Sequence, residues 1–130
     1  MSGSNSETIM DYKFSFEKLE VWQMARVLVT DIYRVTQKFP DVERFGITNQ
    51  LRRAAVSICA NLAEGGTRTS SKEQAYFTSI AYGSLMEVLN HLIISNDLLF
   101  LEEEKLNELR AKIQPLSTKI NNLRTKQLSK

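Results

Sequence analysis

The sequence is short of almost everything that chemistry on a protein needs. It holds one cysteine, Cys59, which has no second thiol with which to close an internal bridge. A secreted disulfide framework is therefore excluded, and a reducing, cytoplasmic setting fits best. It holds one histidine, His91, so the pair of Glu-x-x-His motifs that a di-iron bundle requires cannot be formed. The nearest acid upstream of His91 is Glu87, four residues away rather than three. The longest apolar runs are four residues, such as Leu98 to Leu101, against the roughly 20 needed to cross a bilayer. The first fifteen residues, MSGSNSETIMDYKFS, have no basic cap leading into an apolar stretch, so they do not read as a signal peptide. Residues 1–14 read as a disordered polar tail. With 17 basic and 15 acidic side chains the net charge is only +2, which gives no global pull on a polyanion.

What remains is helix. Only two prolines and five glycines occur, and most of them fall where helix punctuation would place them. A length of 130 residues is the size of one domain, large enough to bury a core without metal or disulfides. Leu19, Trp22, Ala25, Val29, Ile32, Tyr33 and Thr36 recur at steps of three and four, predicting a first helix over about 15–38 that Phe39-Pro40 ends. Thr48 is placed to cap a second helix with apolar positions Leu51, Ala54, Ala55, Ile58 and Leu62. Gly65-Gly66 offers a left-handed closing residue. Ser70, three residues before Glu73, has capping-box spacing for a third helix with Phe77, Ala81, Leu85, Val88, Leu92 and Leu99 inward. That helix has no clear stop signal near Leu98 to Leu101.

The fourth helix is the most regular. Leu106, Leu109, Ile113, Leu116, Ile120 and Leu123 alternate steps of three and four, the 3.5-residue repeat of a left-handed bundle seam. Pro115 falls on the opposite face and is expected to bend the helix there. Ala81, Gly83 and Ser84 are small residues in mid-helix and predict a close helix approach, since glycine there otherwise costs about 1 kcal/mol against alanine. Four helices joined by short connectors, with no strand pattern, predict an all-α, up-and-down antiparallel four-helix bundle over 15–127, followed by a short tail, 128–130.

Two groups of residues exceed what a core needs. Gln50, Arg53, Ser57, Asn61 and Glu64 lie at offsets 0, 3, 7, 11 and 14 on the second helix, within about 80° of arc beside the apolar stripe. Such a border row meets another helix or another subunit, or else is simply a solvated face. Arg53 and Glu64 are too far apart to pair, and Glu87 on the third helix is the candidate partner for Arg53. The second group is the stretch after Glu108, where Arg110, Lys112, Lys119, Arg124, Lys126 and Lys130 occur with no acid. Acids crowd just upstream at Glu102, Glu103, Glu104 and Glu108, so this split also answers the helix dipole; weak contact with nucleic acid is the alternative.

Enzymatic readings find little purchase. Cys59 sits beside Ile58 in an apolar segment and reads as a small packed side chain. Gly65-Gly66-Thr67-Arg68 lacks the spacing and the Lys-Ser/Thr ending of a phosphate-binding loop, although Arg68 and Lys72 flank a helix start where an incidental anion could rest. Trp22 reads as a core anchor. No cofactor and no metal is expected.

Several blocks together resemble a known family. They are Phe16-x-x-Leu19-x-Val21-Trp22, Phe39-Pro40, Glu43-x-Phe45-Gly46, Gln50-Leu51-Arg52-Arg53-Ala54-Ala55-Val56-Ser57-Ile58, Asn61-Leu62-Ala63-Glu64-Gly65 and Gly83-Ser84-Leu85-x-Glu87. In order and spacing they are similar to the bacterial four-helix-bundle proteins encoded within intervening sequences of 23S rRNA genes, over about Phe16 to Leu123. Two departures are Phe45-Gly46-Ile47 where the family often has Tyr-Gly-Leu, and Cys59 where it often has a proline that would bend helix two. The resemblance implies a bundle that assembles as a homopentamer, with no established enzymatic activity. It extends to the accessory variability determinant of retroelements, which partners a reverse transcriptase and binds nucleic acid. Those relatives are strongly basic, so the +2 charge places this chain nearer the rRNA-associated group. The functions that follow are a non-catalytic oligomeric scaffold or RNA-associated adaptor, a protein-only interaction module, or an accessory protein of a reverse transcriptase.

Overall fold

A computed structural model describes residues 12–130. After a 3-10 turn at Ser15–Lys18 come four helices: α1 Glu20–Thr36, α2 Ile47–Gly65, α3 Ser71–Asp97 and α4 Glu103–Leu128. A second 3-10 turn, Asp41–Glu43, lies between α1 and α2, and no strand occurs among the described residues. Each helix packs against the next, and α4 closes back on α1, while the backbones of the diagonal pairs α1–α3 and α2–α4 stay farther apart. That cyclic order is the up-and-down four-helix bundle the periodicities predict. Among the described residues no helix is long and apolar enough to cross a membrane. The tail expected at residues 1–14 lies, over 1–11, outside the described residues; 12–14 are non-helical.

The core is a single cluster to which every helix gives one stripe. Ile32, Leu51, Ile58, Leu85, Leu92, Leu116 and Ile120 are its largest fully enclosed apolar side chains. The α4 repeat lies inward throughout, with Leu123 half-buried at its edge. Buried polar groups are few. Among them the Thr78 hydroxyl donates across the α3–α4 seam to the Gln127 Oε1 at 2.7 Å.

Four boundary expectations need correction. Helix α1 begins at Glu20 rather than 15, because Leu19 is extended at φ −71°, ψ 127°. The chain before it folds back so that Phe16 meets Trp22 edge-on at 5.1 Å. Thr48 does not cap α2. It is the second helical residue, buried, with no partner for its Oγ1, and the Glu43 carboxylate accepts from the Ile47 N–H at 3.4 Å instead. Gly66 is right-handed at φ −65°, so the glycine pair is there for space. A Cβ on Gly65 would stand 3.2 Å from the Phe77 Cβ. Gly83, expected at a close approach, is exposed and has nothing within 4 Å of an added Cβ.

The start of α3 is as the spacing predicts, with the Ser70 Oγ accepting from the Glu73 N–H at 3.0 Å. Its end corrects an expectation: Leu99, placed on the inner stripe of this helix by its spacing, lies beyond the helix with its side chain 90% exposed. Leu99 takes the left-handed conformation, φ 67°, while the Phe100 N–H reaches back to the Ser95 carbonyl at 2.9 Å and the Leu99 N–H to the Asn96 carbonyl at 3.0 Å. This is the helix-closing pattern in which glycine is the usual residue.

Two substitutions separate cap from core. Ser70→Ala leaves the Glu73 amide without its acceptor and should cost about 1 kcal/mol. Leu85→Ala empties a fully enclosed site and should cost about 3 kcal/mol. Chemical denaturation followed by far-UV circular dichroism reads both, and an equal effect of the two would contradict this assignment of the core.

Candidate functional site

The polar row on α2 divides in two. Its inner part belongs to the α2–α3 seam, where the Ser57 and Ser84 hydroxyls lie 2.9 Å apart. The Asn61 amide donates to the Ser57 carbonyl at 2.9 Å and to its hydroxyl at 3.0 Å. Glu64, at the end of the row, pairs with Arg68 one turn later at 2.8 Å. Arg68 in turn lies over the Phe77 ring, 4.8 Å from its centre, so it is committed to the α2–α3 corner rather than poised for an anion.

The outer part faces away from the core. Gln50, Arg53 and Glu87, with Asn49, Ala54 and Ser57, line an open groove of about 430 Å³ between α2 and α3. A second groove, of about 560 Å³, lies on the α1 side of the same helix between Tyr33, Asn49, Arg52, Arg53, Val56, Ser57 and Ala60. Arg53 stands on the ridge between them. It is exposed and has no ion-pair partner among the described residues. The expected Arg53–Glu87 pair is not formed; Glu87 lies instead 3.3 Å from the His91 Nε2, one turn on along α3. A partner on the same helix is reached without spanning the groove.

Residue spacing did not reveal Arg52. Its Nε donates to the Thr36 hydroxyl at 2.9 Å and its guanidinium lies 4.6 Å from the centre of the Tyr33 ring, so it ties α2 to α1. The available signal was its place on the opposite border of the apolar stripe from Ser57 and Asn61. Cys59 is half-buried, and burial pushes its thiol up to about 11, with Arg26 pulling weakly the other way. A neutral thiol of this kind is a poor nucleophile. Among the described residues no three His, Cys, Asp or Glu side chains gather as a metal site would need.

The basic stretch of α4 does not form one face. Lys112 pairs with Asp31 of α1 at 2.7 Å and Lys119 with Glu20 at 3.0 Å. Lys126, seven residues after Lys119, continues that row. Arg110 and Arg124 lie about 160° around the helix from it. Arg110, Arg124, Lys126 and Lys130 are exposed and form no ion pair among the described residues.

Residues 17–122, which run from within the turn before α1 to within α4, match the family of 23S rRNA-intervening sequence proteins. The chain belongs to that family. As a 23S rRNA-intervening sequence protein it carries the family's pattern across all four helices, so the α2 row and both grooves lie inside the matched region. No curated protein matches the sequence significantly.

Proposed function

We propose that this 23S rRNA-intervening sequence protein is a non-catalytic bundle that assembles with copies of itself through the outer face of α2 and its border with α3. The assembly then serves as a scaffold for RNA or for a protein that handles RNA. Arg53 carries the reading. A guanidinium held on a ridge between two grooves, with no partner in its own protomer, is placed to meet an acceptor on another molecule. Around it the surface is low and self-compatible: Val56 is 43% exposed, Ala60 is exposed, and Gly83 on α3 leaves open space one turn before Glu87. A ring of five, the assembly the family resemblance implies, would use such a face head to tail.

Sedimentation velocity tests the assembly. The wild-type protein should run as a closed oligomer at micromolar concentration. Arg53→Glu should abolish the ring with its helical circular dichroism intact, because the substituted face is exposed in the protomer. A wild-type monomer throughout, or an Arg53→Glu protein that assembles unchanged, would overturn the proposal.

A nucleic-acid role for the same assembly is favoured by the exposed, unpaired Arg124, Lys126 and Lys130 at the end of α4. Several copies would multiply a weak basic patch without any new contact. Gel-shift titration with structured RNA should show binding that falls steeply from low to physiological salt. Changing those three residues to Ala should weaken it. No shift even at low salt, or an undiminished triple variant, would leave the bases to their helix dipole and favour a protein-only module.

A further inference from the structure

The bundle end formed by the α1–α2 and α3–α4 connections, where Phe39 packs against Phe100 at 5.9 Å, leaves several apolar side chains largely in water. Leu99 holds a left-handed backbone at φ 67°, which L residues other than glycine adopt only at a cost, and its side chain is 90% exposed. The protomer therefore bears backbone strain for an apolar group that it leaves in water. Leu98 beside it is 51% exposed, and on the neighbouring connection Val42 and Phe45 are 85% and 86% exposed. Adjoining Leu99 is a groove of about 920 Å³. Its deeper lining is apolar, with Leu101 buried and Val35 and Phe100 half-buried. Its exposed rim is charged with opposite signs: Arg34 and Lys38 at the end of α1, Glu102 and Glu103 at the start of α4. Lys105 also borders it but is engaged with Glu108 at 2.7 Å.

We propose that this end is a docking surface for a second copy of the same chain, related by a twofold axis, each copy's Leu99 seating in the other's groove. A twofold contact requires a self-complementary patch, and this one has a knob beside a hollow and a basic rim beside an acidic one. Rotation by 180° brings Arg34 and Lys38 of one copy to Glu102 and Glu103 of the other. A partner of single charge has no such fit: nucleic acid meets the two glutamates, and a basic segment meets the arginine and lysine. The contact is separate from the α2 face, so it joins two protomers, or two rings, end to end.

Sedimentation velocity and thermal unfolding on the full chain test it with four variants. Leu99→Gly removes the strain and the knob together. It should raise the unfolding midpoint by roughly 2–6 °C while weakening end-to-end association at least about tenfold. Arg34→Glu and Glu103→Arg should each break the contact, and the double variant, with both charges inverted, should restore it. A Leu99→Gly protein that associates as wild type, or a double variant that does not recover, overturns the proposal. So does a wild-type mass that never exceeds one ring, which leaves the α2 assembly standing. Conversely, a dimer that persists in Arg53→Glu supports the end contact whether or not a ring exists. Loss of RNA retention in Leu99→Gly with self-association unchanged would assign the surface to nucleic acid and also overturn the proposal.

Discussion

Helices α2 and α3 lie against each other along most of their length, fixed at mid-seam by the Ser57–Ser84 hydrogen bond of 2.9 Å and at one end by the glycine-to-phenylalanine approach of Gly65 and Phe77. A hydrogen bond of this kind contributes about 1 kcal/mol, far less than the apolar core beneath it. Its importance is register. A slip by one helical turn, about 5.4 Å, would separate both contacts. With the register held, the inner half of the polar row is satisfied and the outer half, Gln50, Arg53 and Glu87, is left facing outward together. The seam thus decides which polar groups stay available for another molecule.

Helix α1 is bound differently. It is the shortest of the four and touches α4 more sparsely than the other neighbours touch each other. Polar ties reinforce its two borders: Arg52 to Thr36 and Tyr33 on the α2 side, Lys112 to Asp31 and Lys119 to Glu20 on the α4 side. The exposed ion pairs are individually weak, yet they assign two of the six bases after Glu108 to internal structure. The electrostatic surface left to a polyanion is therefore smaller than a count of lysines and arginines implies, and it is divided between two flanks.

Helix count, order and most core positions were legible in the sequence because apolar periodicity and the Ser70 cap are local signals, and α4 shows this at its clearest; the stripes read for α1 and α3 also took in Tyr33 and Leu99, which are exposed. The first error came from the same source. Leu19 is in phase with α1 and still lies outside it, because the packing of Phe16 on Trp22 bends the chain there. The Leu99 turn was not legible at all, since residue preference argues against a left-handed leucine and only the surrounding backbone bonds impose it. The α2 row was found as a row, but its division was not: whether Glu87 turns to Arg53 across a groove or to His91 along its own helix depends on side-chain geometry that spacing does not carry. The α4 bases show the same gap, a continuous stretch in sequence being two separate faces on a helix.

The central claim is that the outer face of α2 is covered by another copy of the chain. Residue-resolved oxidative footprinting across the assembly transition tests it most directly. On concentration from nanomolar to assembling conditions, Val56 and its neighbours from Asn49 to Glu64 should lose reactivity, together with the α3 surface around Glu87. Leu128, 53% exposed at the end of α4, the helix diagonal to α2, should keep its reactivity. Unchanged reactivity along α2 while the mass rises would contradict the account, because assembly would then run through some other surface.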